Sequence, residues 1–173
     1  MPRTNRHIRE KFHKLTQQGQ AEALLDSAAE WEPVISIGMA ASMVGLSVSA
    51  LRKYEKEGLL IYHRSDTGRR LLCRADIKRI RMIQQLINES GLNIEGIRRL
   101  LALLPCWDLK VCSKEEKEKC PAVRDGLRPC WMVKKSVCQK SGYDCRQCEV
   151  YRYGAYCAVT MKMLVHGLDE TSA

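Results

Sequence analysis

Apolar and polar positions alternate with helical spacing in four stretches of the chain. From Ile37 to Val44 the apolar stripe is Met39, Ala40 and Val44, and Gly45 follows where a left-handed residue ends a helix. Ser47 then precedes Val48 to Glu55, so its hydroxyl is placed to cap a second helix that begins polar and becomes basic. From Asp76, with Asp76 as the expected cap, Ile77, Ile80, Ile83, Leu86 and Ile87 predict a longer helix that stops at Gly91. Asn93 caps a fourth helix, which buries Ile94, Ile97, Leu100, Leu101 and Leu104 and ends before Pro105. Between the second and third helices, Leu59-Leu60-Ile61 and Leu71-Leu72-Cys73 read as strands around an Asp66-Thr67-Gly68 turn. Two helices joined by a tight turn and followed by a basic hairpin predict a winged helix-turn-helix, the second helix being the one that enters a major groove.

Charge sharpens this picture. The net charge of +9 is uneven: Arg52 to Arg81 holds ten Lys and Arg against Glu55, Glu57, Asp66 and Asp76. Such a segment displaces condensed counterions from a duplex and gives salt-sensitive affinity, which does not by itself choose a sequence. Ser47, Ser49, Arg52, Lys53 and Tyr54 are the candidates on the second helix, with Ser49 or Arg52 best placed for base edges; Arg64, Arg69 and Arg70 are the candidates for gripping phosphates from the hairpin. A solvated helix face is the alternative reading of the same charges.

The run Arg52-Lys53-Tyr54-Glu55-Lys56-Glu57-Gly58-Leu59-Leu60, with Arg64, Gly68-Arg69-Arg70-Leu71, Asp76-Ile77 and Gly91 to Leu101 in order behind it, resembles the MerR family of transcription regulators over residues 35–104. Arg69 and Leu72 stand where that family commonly has tyrosines, which keeps the charge of the wing and changes its aromatic contacts. The resemblance implies a homodimer on double-stranded promoter DNA that acts on RNA polymerase indirectly, by bending and untwisting an overlong promoter spacer. Pro105-Cys106-Trp107 follows where relatives continue into a long dimerisation helix, so the usual coiled coil is absent or displaced.

Residues 105–158 carry a different chemistry. Cys106, Cys112, Cys120, Cys130, Cys138, Cys145, Cys148 and Cys157 are eight thiols in about fifty residues, with no histidine among them. All-sulfur ligation suits an iron–sulfur cluster or, alternatively, zinc, and Cys145-x-x-Cys148 lets two sulfurs reach one metal from a single turn. Disulfide switching and transfer of a thiol-reactive metal are further readings. Cys73, apart in the hairpin, reads as a small packing residue. The order Cys106-Trp107, Cys112, Cys120-Pro121, Cys130-Trp131, Cys138, Cys145-x-x-Cys148 resembles the two-CW domain, a cysteine-rich module of bacterial sensory proteins; Cys157 lies outside that pattern. Trp107 and Trp131 are the expected core, and Lys114 to Lys119 a solvated loop or helical turn. A module this small needs its metal to fold.

The sequence thus predicts a mainly α chain: a helical N-terminal extension (1–34, from the Ile8, Phe12, Leu15 spacing), a MerR-like DNA-binding domain (35–104), a metal-dependent cysteine-rich module (105–158), and a tail (159–173) with one short helix at Val159 to Leu168. No signal peptide or membrane-spanning run is visible, which with reduced thiols implies a cytoplasmic protein. The functional reading is a non-enzymatic regulator that senses redox state or metal. Its rivals are a DNA binder with structural zinc, and a redox or electron-transfer protein, against which stands the lack of a nucleotide-binding glycine loop.

Overall fold

The computed structural model describes residues 30–110, 112–152 and 154, apart from the Asp108 side chain. The expected N-terminal helices, Cys157 and the expected helix at Val159 to Leu168 lie outside the described residues. The described residues divide into two compact units, 30–98 in one and those from Arg99 onward in the other. The first is helical with a small three-stranded antiparallel sheet; the second is built of short helices.

In the first unit a two-residue strand, β1 (Ile35–Ser36), leads directly into helix α1 (Ile37–Val44), whose Met39 amide donates to the Ser36 hydroxyl. Ala40, Ala41 and Val44 face the core, whereas Met39 is 58% exposed. The expected stripe is therefore rotated by one position: an eight-residue helix buries a single narrow face, and Ala41 takes the place assigned to Met39. Gly45 at φ 67° ends α1, and the Leu46 amide reaches back to the Ala41 carbonyl. Helix α2 (Val48–Lys56) starts at Ser47, whose hydroxyl accepts from the Ala50 amide at 3.1 Å.

The hairpin differs from expectation at its first strand. Leu59 and Leu60 are buried, but both amides donate to the Tyr54 carbonyl, so these residues close the end of α2 behind Gly58 (φ 73°) rather than pair with a strand. Pairing begins later, between β2 (His63–Arg64) and β3 (Arg70–Leu72), with His63 opposite Leu71 and Arg64 opposite Arg70. The turn is the one the sequence indicates: Gly68, at φ 76°, donates to the Ser65 carbonyl at 2.8 Å. On its other edge β3 pairs with β1, Ile35 opposite Leu72, so the sheet order is β1-β3-β2. β1 has too few residues to show a pattern in sequence.

Helix α3 (Arg74–Asn88) begins three residues earlier than expected, because Asp76 caps it from inside the first turn: its carboxylate accepts from the Cys73 amide at 2.9 Å. Ile77, Ile80, Ile83 and Leu86 are buried and Ile87 half-buried. Arg79, also buried, donates from Nε to the Leu59 carbonyl at 2.7 Å, and Gln84 donates to the Val44 carbonyl at 3.0 Å. Side chains of α3 thus satisfy carbonyls left by both helices of the helix-turn-helix. Helix α4 (Ile94–Ala102) is capped as expected, Gly96 donating to Asn93 Oδ1 at 2.7 Å.

In the second unit Leu101 and Leu104 are buried, and a Cβ added to Gly154 would lie 2.7 Å from Leu104 Cδ1. Trp131 is buried, its ring 5.2 Å from that of Tyr151 in an edge-on arrangement, while Trp107 is only half-buried. The backbone is a series of single turns: α5 (Cys106–Leu109), α6 (Lys114–Lys119), α7 (Pro121–Arg124), a 3-10 turn at Cys130–Met132, α8 (Val137–Lys140) and another 3-10 turn at Cys145–Gln147. The charged run Lys114–Lys119 is a helix with no buried residue, closed at its start by a reciprocal pair of bonds between Ser113 and Glu116.

Leu51, fully buried in α2, accepts at its carbonyl from the Tyr62 hydroxyl at 2.6 Å. Chemical denaturation should show Leu51→Ala losing about 2–5 kcal/mol and Tyr62→Phe about 1 kcal/mol.

Candidate nucleic-acid interface and thiol cavity

Helix α2 presents Ser49, Arg52 and Lys53 at spacings of three and one, which places them on one exposed face, with exposed Ser47 at its start. The two serine hydroxyls are 2.8 Å apart. A small polar entry followed by cations matches what a groove-entering helix needs, namely close approach and then contacts to base edges or phosphates. Tyr54 is not part of this face. It is 5% exposed, packed with Leu51 on the opposite side of the helix, and burial raises its phenol above the ordinary value. Its expected place among the DNA-facing residues is corrected: a ring at the third position after Leu51 follows the apolar stripe inward.

The hairpin arginines divide in the same way. Glu55, on the flank of α2, accepts from Arg64 Nη2 on one oxygen and from Arg70 Nε on the other, each at 2.7 Å. Arg70 also lies 5.9 Å from the centre of the Tyr62 ring. These two guanidinium groups brace the hairpin against α2, while Arg69, beside the turn, is exposed. At the end of α2, Glu57 accepts from Arg98 at 3.2 Å, and Arg98 also pairs with Glu95. In the sequence, the signal for this role of Glu55 and Glu57 is an acid on each side of Lys56 in an otherwise basic run.

In the second unit, Cys106, Cys112, Cys120, Cys130, Cys138, Cys145 and Cys148 all line one cavity of about 370 Å³, closed by Leu109, Trp131 and Tyr151 among others. The described cysteines are free thiols. Among the described residues no three Cys, His, Asp or Glu converge closely enough to hold a single metal ion. The thiols are nonetheless neighbours electrically. Burial, followed by the charges of Cys138, Cys106 and Glu116, pushes the Cys112 thiol up to about 11, against a lowering influence from Lys110. A hydrogen bond with Cys106 is the main cause of a rise at Cys130, with burial next. Burial and Cys148 raise Cys145, and burial raises Cys148. Cys120 is set deeper, in a small apolar cluster with Ala122 and Val133.

Lys110 was not among the expected site residues. Its ammonium donates to Cys138 Sγ at 3.2 Å and sits 3.1 Å from the centre of the Tyr143 ring. Burial alone would lower it, but the bond to Cys138 and the charges of Cys138, Tyr143 and Cys148 outweigh that and raise it. Cys73, in the first unit, is buried and pushed up to about 12 by burial and Asp76, in keeping with a packing role.

Comparison with known proteins finds similarity over part of the chain. Residues 35–104 match the model of the MerR HTH family regulatory protein. Over 72 residues, 41% of this chain and 47% of the relative, the chain is 40% identical to a Streptomyces coelicolor protein named as a heat shock protein, HspR. The chain therefore spans about half the length of that curated relative.

Replacing Glu55 by Ala should release both hairpin arginines, speed amide exchange at His63 to Leu72 and cost about 1 kcal/mol of stability; unchanged exchange would contradict the bracing role. Since Cys112 is held neutral at pH 7, its alkylation without added metal should rise about tenfold per pH unit between pH 7 and 10.

Proposed function

We propose that the chain is a DNA-binding transcription regulator of the MerR type, acting as a homodimer on double-stranded promoter DNA and reaching RNA polymerase through the shape it imposes on that DNA. The observation that carries this reading is the exposed face of Ser47, Ser49, Arg52 and Lys53 on α2, next to a hairpin that Glu55 holds in place, within a segment matching a regulator family. Arg52 contacts base edges and Arg69 contacts phosphate. Among the described residues no helix is long and apolar enough to cross a membrane.

The thiol cavity is the sensing half of the proposal. Seven sulfur donors and no histidine line one space of about 370 Å³, which has room for a cluster of several metal atoms as well as for a lone zinc. Support for an iron–sulfur cluster is therefore the donor chemistry and the breadth of the cavity; zinc remains the alternative. The group, when bound, supplies a charge and a set of sulfur bonds that change with oxidation. The chain's own part is to shield it: Trp131, Leu109 and Tyr151 keep water from the sulfurs.

The experiment is promoter binding by the full chain, purified anaerobically, at several salt concentrations. Arg52→Ala should bind more weakly and discriminate less between promoter and random duplex by about 1–3 kcal/mol, whereas Arg69→Ala should weaken both equally and lower the salt slope by about one. A wild-type protein with no preference for promoter over random duplex would overturn the regulator reading.

A further inference from the structure

We propose that Lys110 is the positioning residue of the thiol cavity: its ammonium, seated on the Tyr143 ring, donates to Cys138 Sγ and balances the charge of the metal–thiolate centre held there. The inference rests on reading the cavity as such a centre, and it deepens that reading by naming the group that sets its charge.

The placement is built by backbone as well as side chains. Lys110 is the residue that closes helix α5, its amide donating to the Cys106 carbonyl at 2.9 Å. Cys138 and Tyr143 are tied to each other, since the Tyr143 amide donates to the Cys138 carbonyl at 3.0 Å across a turn through Gly142 at φ 71°. Sulfur and ring are thus delivered together to one side of the cavity, and the ammonium meets both. Tyr143 is 60% exposed. It contributes little to the core, so what its ring supplies is a negative face for the cation.

Charge gives the second argument. Lys110 is the one Lys or Arg among the described lining residues, and Asp144, one of the two acids in that lining, is paired with Arg146 at 2.7 Å. Among the described residues no carboxylate forms an ion pair with Lys110. A thiolate must lose its proton to bind metal, so a loaded cavity gathers negative charge in partly buried surroundings, where charge without a counterion is costly. The Lys110 ammonium, 3.2 Å from Cys138 Sγ, lowers that cost at this sulfur directly. An N–H donor on a ligating sulfur and a nearby positive charge both stabilise the more reduced, more negative state of the centre, which raises its potential.

The test compares anaerobically purified and reconstituted full-length wild type with Lys110→Met, Lys110→Arg, Tyr143→Phe and Tyr143→Leu. Metal content, absorption spectrum, midpoint potential and the rate of metal loss to a chelator are measured. Lys110→Met should shift the potential downward and release metal about tenfold faster or more; Lys110→Arg should recover most of both, and Tyr143→Phe, which keeps the ring face, should resemble wild type. Tyr143→Leu should move the same readouts in the direction of Lys110→Met, and it carries the test should Lys110→Met fail to fold. If the centre is redox-silent zinc, chelator loss alone decides. A loaded Lys110→Met protein with wild-type potential and release overturns the role of Lys110 while the cavity reading stands. Wild type that takes up neither iron nor zinc overturns the cavity reading and this inference together.

Discussion

Glu55 holds both guanidinium groups of the hairpin on one carboxylate, and the geometry of the helix-turn-helix unit depends on that arrangement. A two-stranded hairpin is marginal in water by itself. Here it has a helix-borne acid bridging Arg64 and Arg70, a third strand on its other edge, and the Tyr62 hydroxyl anchored to the Leu51 carbonyl. Helix and hairpin are therefore presented as one surface with fixed spacing. The arrangement also sorts the cations: half-buried Arg70 and exposed Arg64 are both paired with Glu55, whereas Arg52, Lys53 and Arg69 lie on the exposed surface.

Much of this unit was legible in the sequence because its signals are local. Gly45, Ser47, Asn93 and the Ser65 to Gly68 turn act within four residues of themselves, and each behaves as its chemistry dictates. The misreadings came where a residue answers to something distant. Leu59 and Leu60 look like strand, yet the carbonyl of Tyr54 and the guanidinium of Arg79 claim them for the end of α2. Tyr54 looked exposed because its neighbours are charged; its burial follows from helical phase with Leu51. Asp76 was recognised as a cap but placed at the wrong position, since a carboxylate inside the first turn reaches back as readily as one before it.

The thiol-rich unit was legible in number and not in arrangement. Counting cysteines gives the supply of sulfur, and the structure places seven of them around one cavity. What sequence does not reveal is that they have different neighbours: the Cys106 and Cys130 thiols share a hydrogen bond, Cys120 packs with Ala122 and Val133, and Cys138 has an ammonium beside it. Lys110 carried no signal, being one lysine in a basic chain. Its meaning arises from a turn that returns Tyr143 to Cys138 some thirty positions further on.

The helix Lys114–Lys119, which buries no residue, has a consequence for how such modules are compared. Because none of its residues is buried, the stretch from Cys112 to Cys120 acts as a spacer, and lengthening a spacer adds little to the entropy of closing it. The interval between those two sulfurs is accordingly free to drift in descendants without moving either one, while the two-residue gap inside the turn at Cys145 is not. A search template that fixes every interval between cysteines would discard true kin; one that fixes only the short interval and lets the charged one vary would retain them.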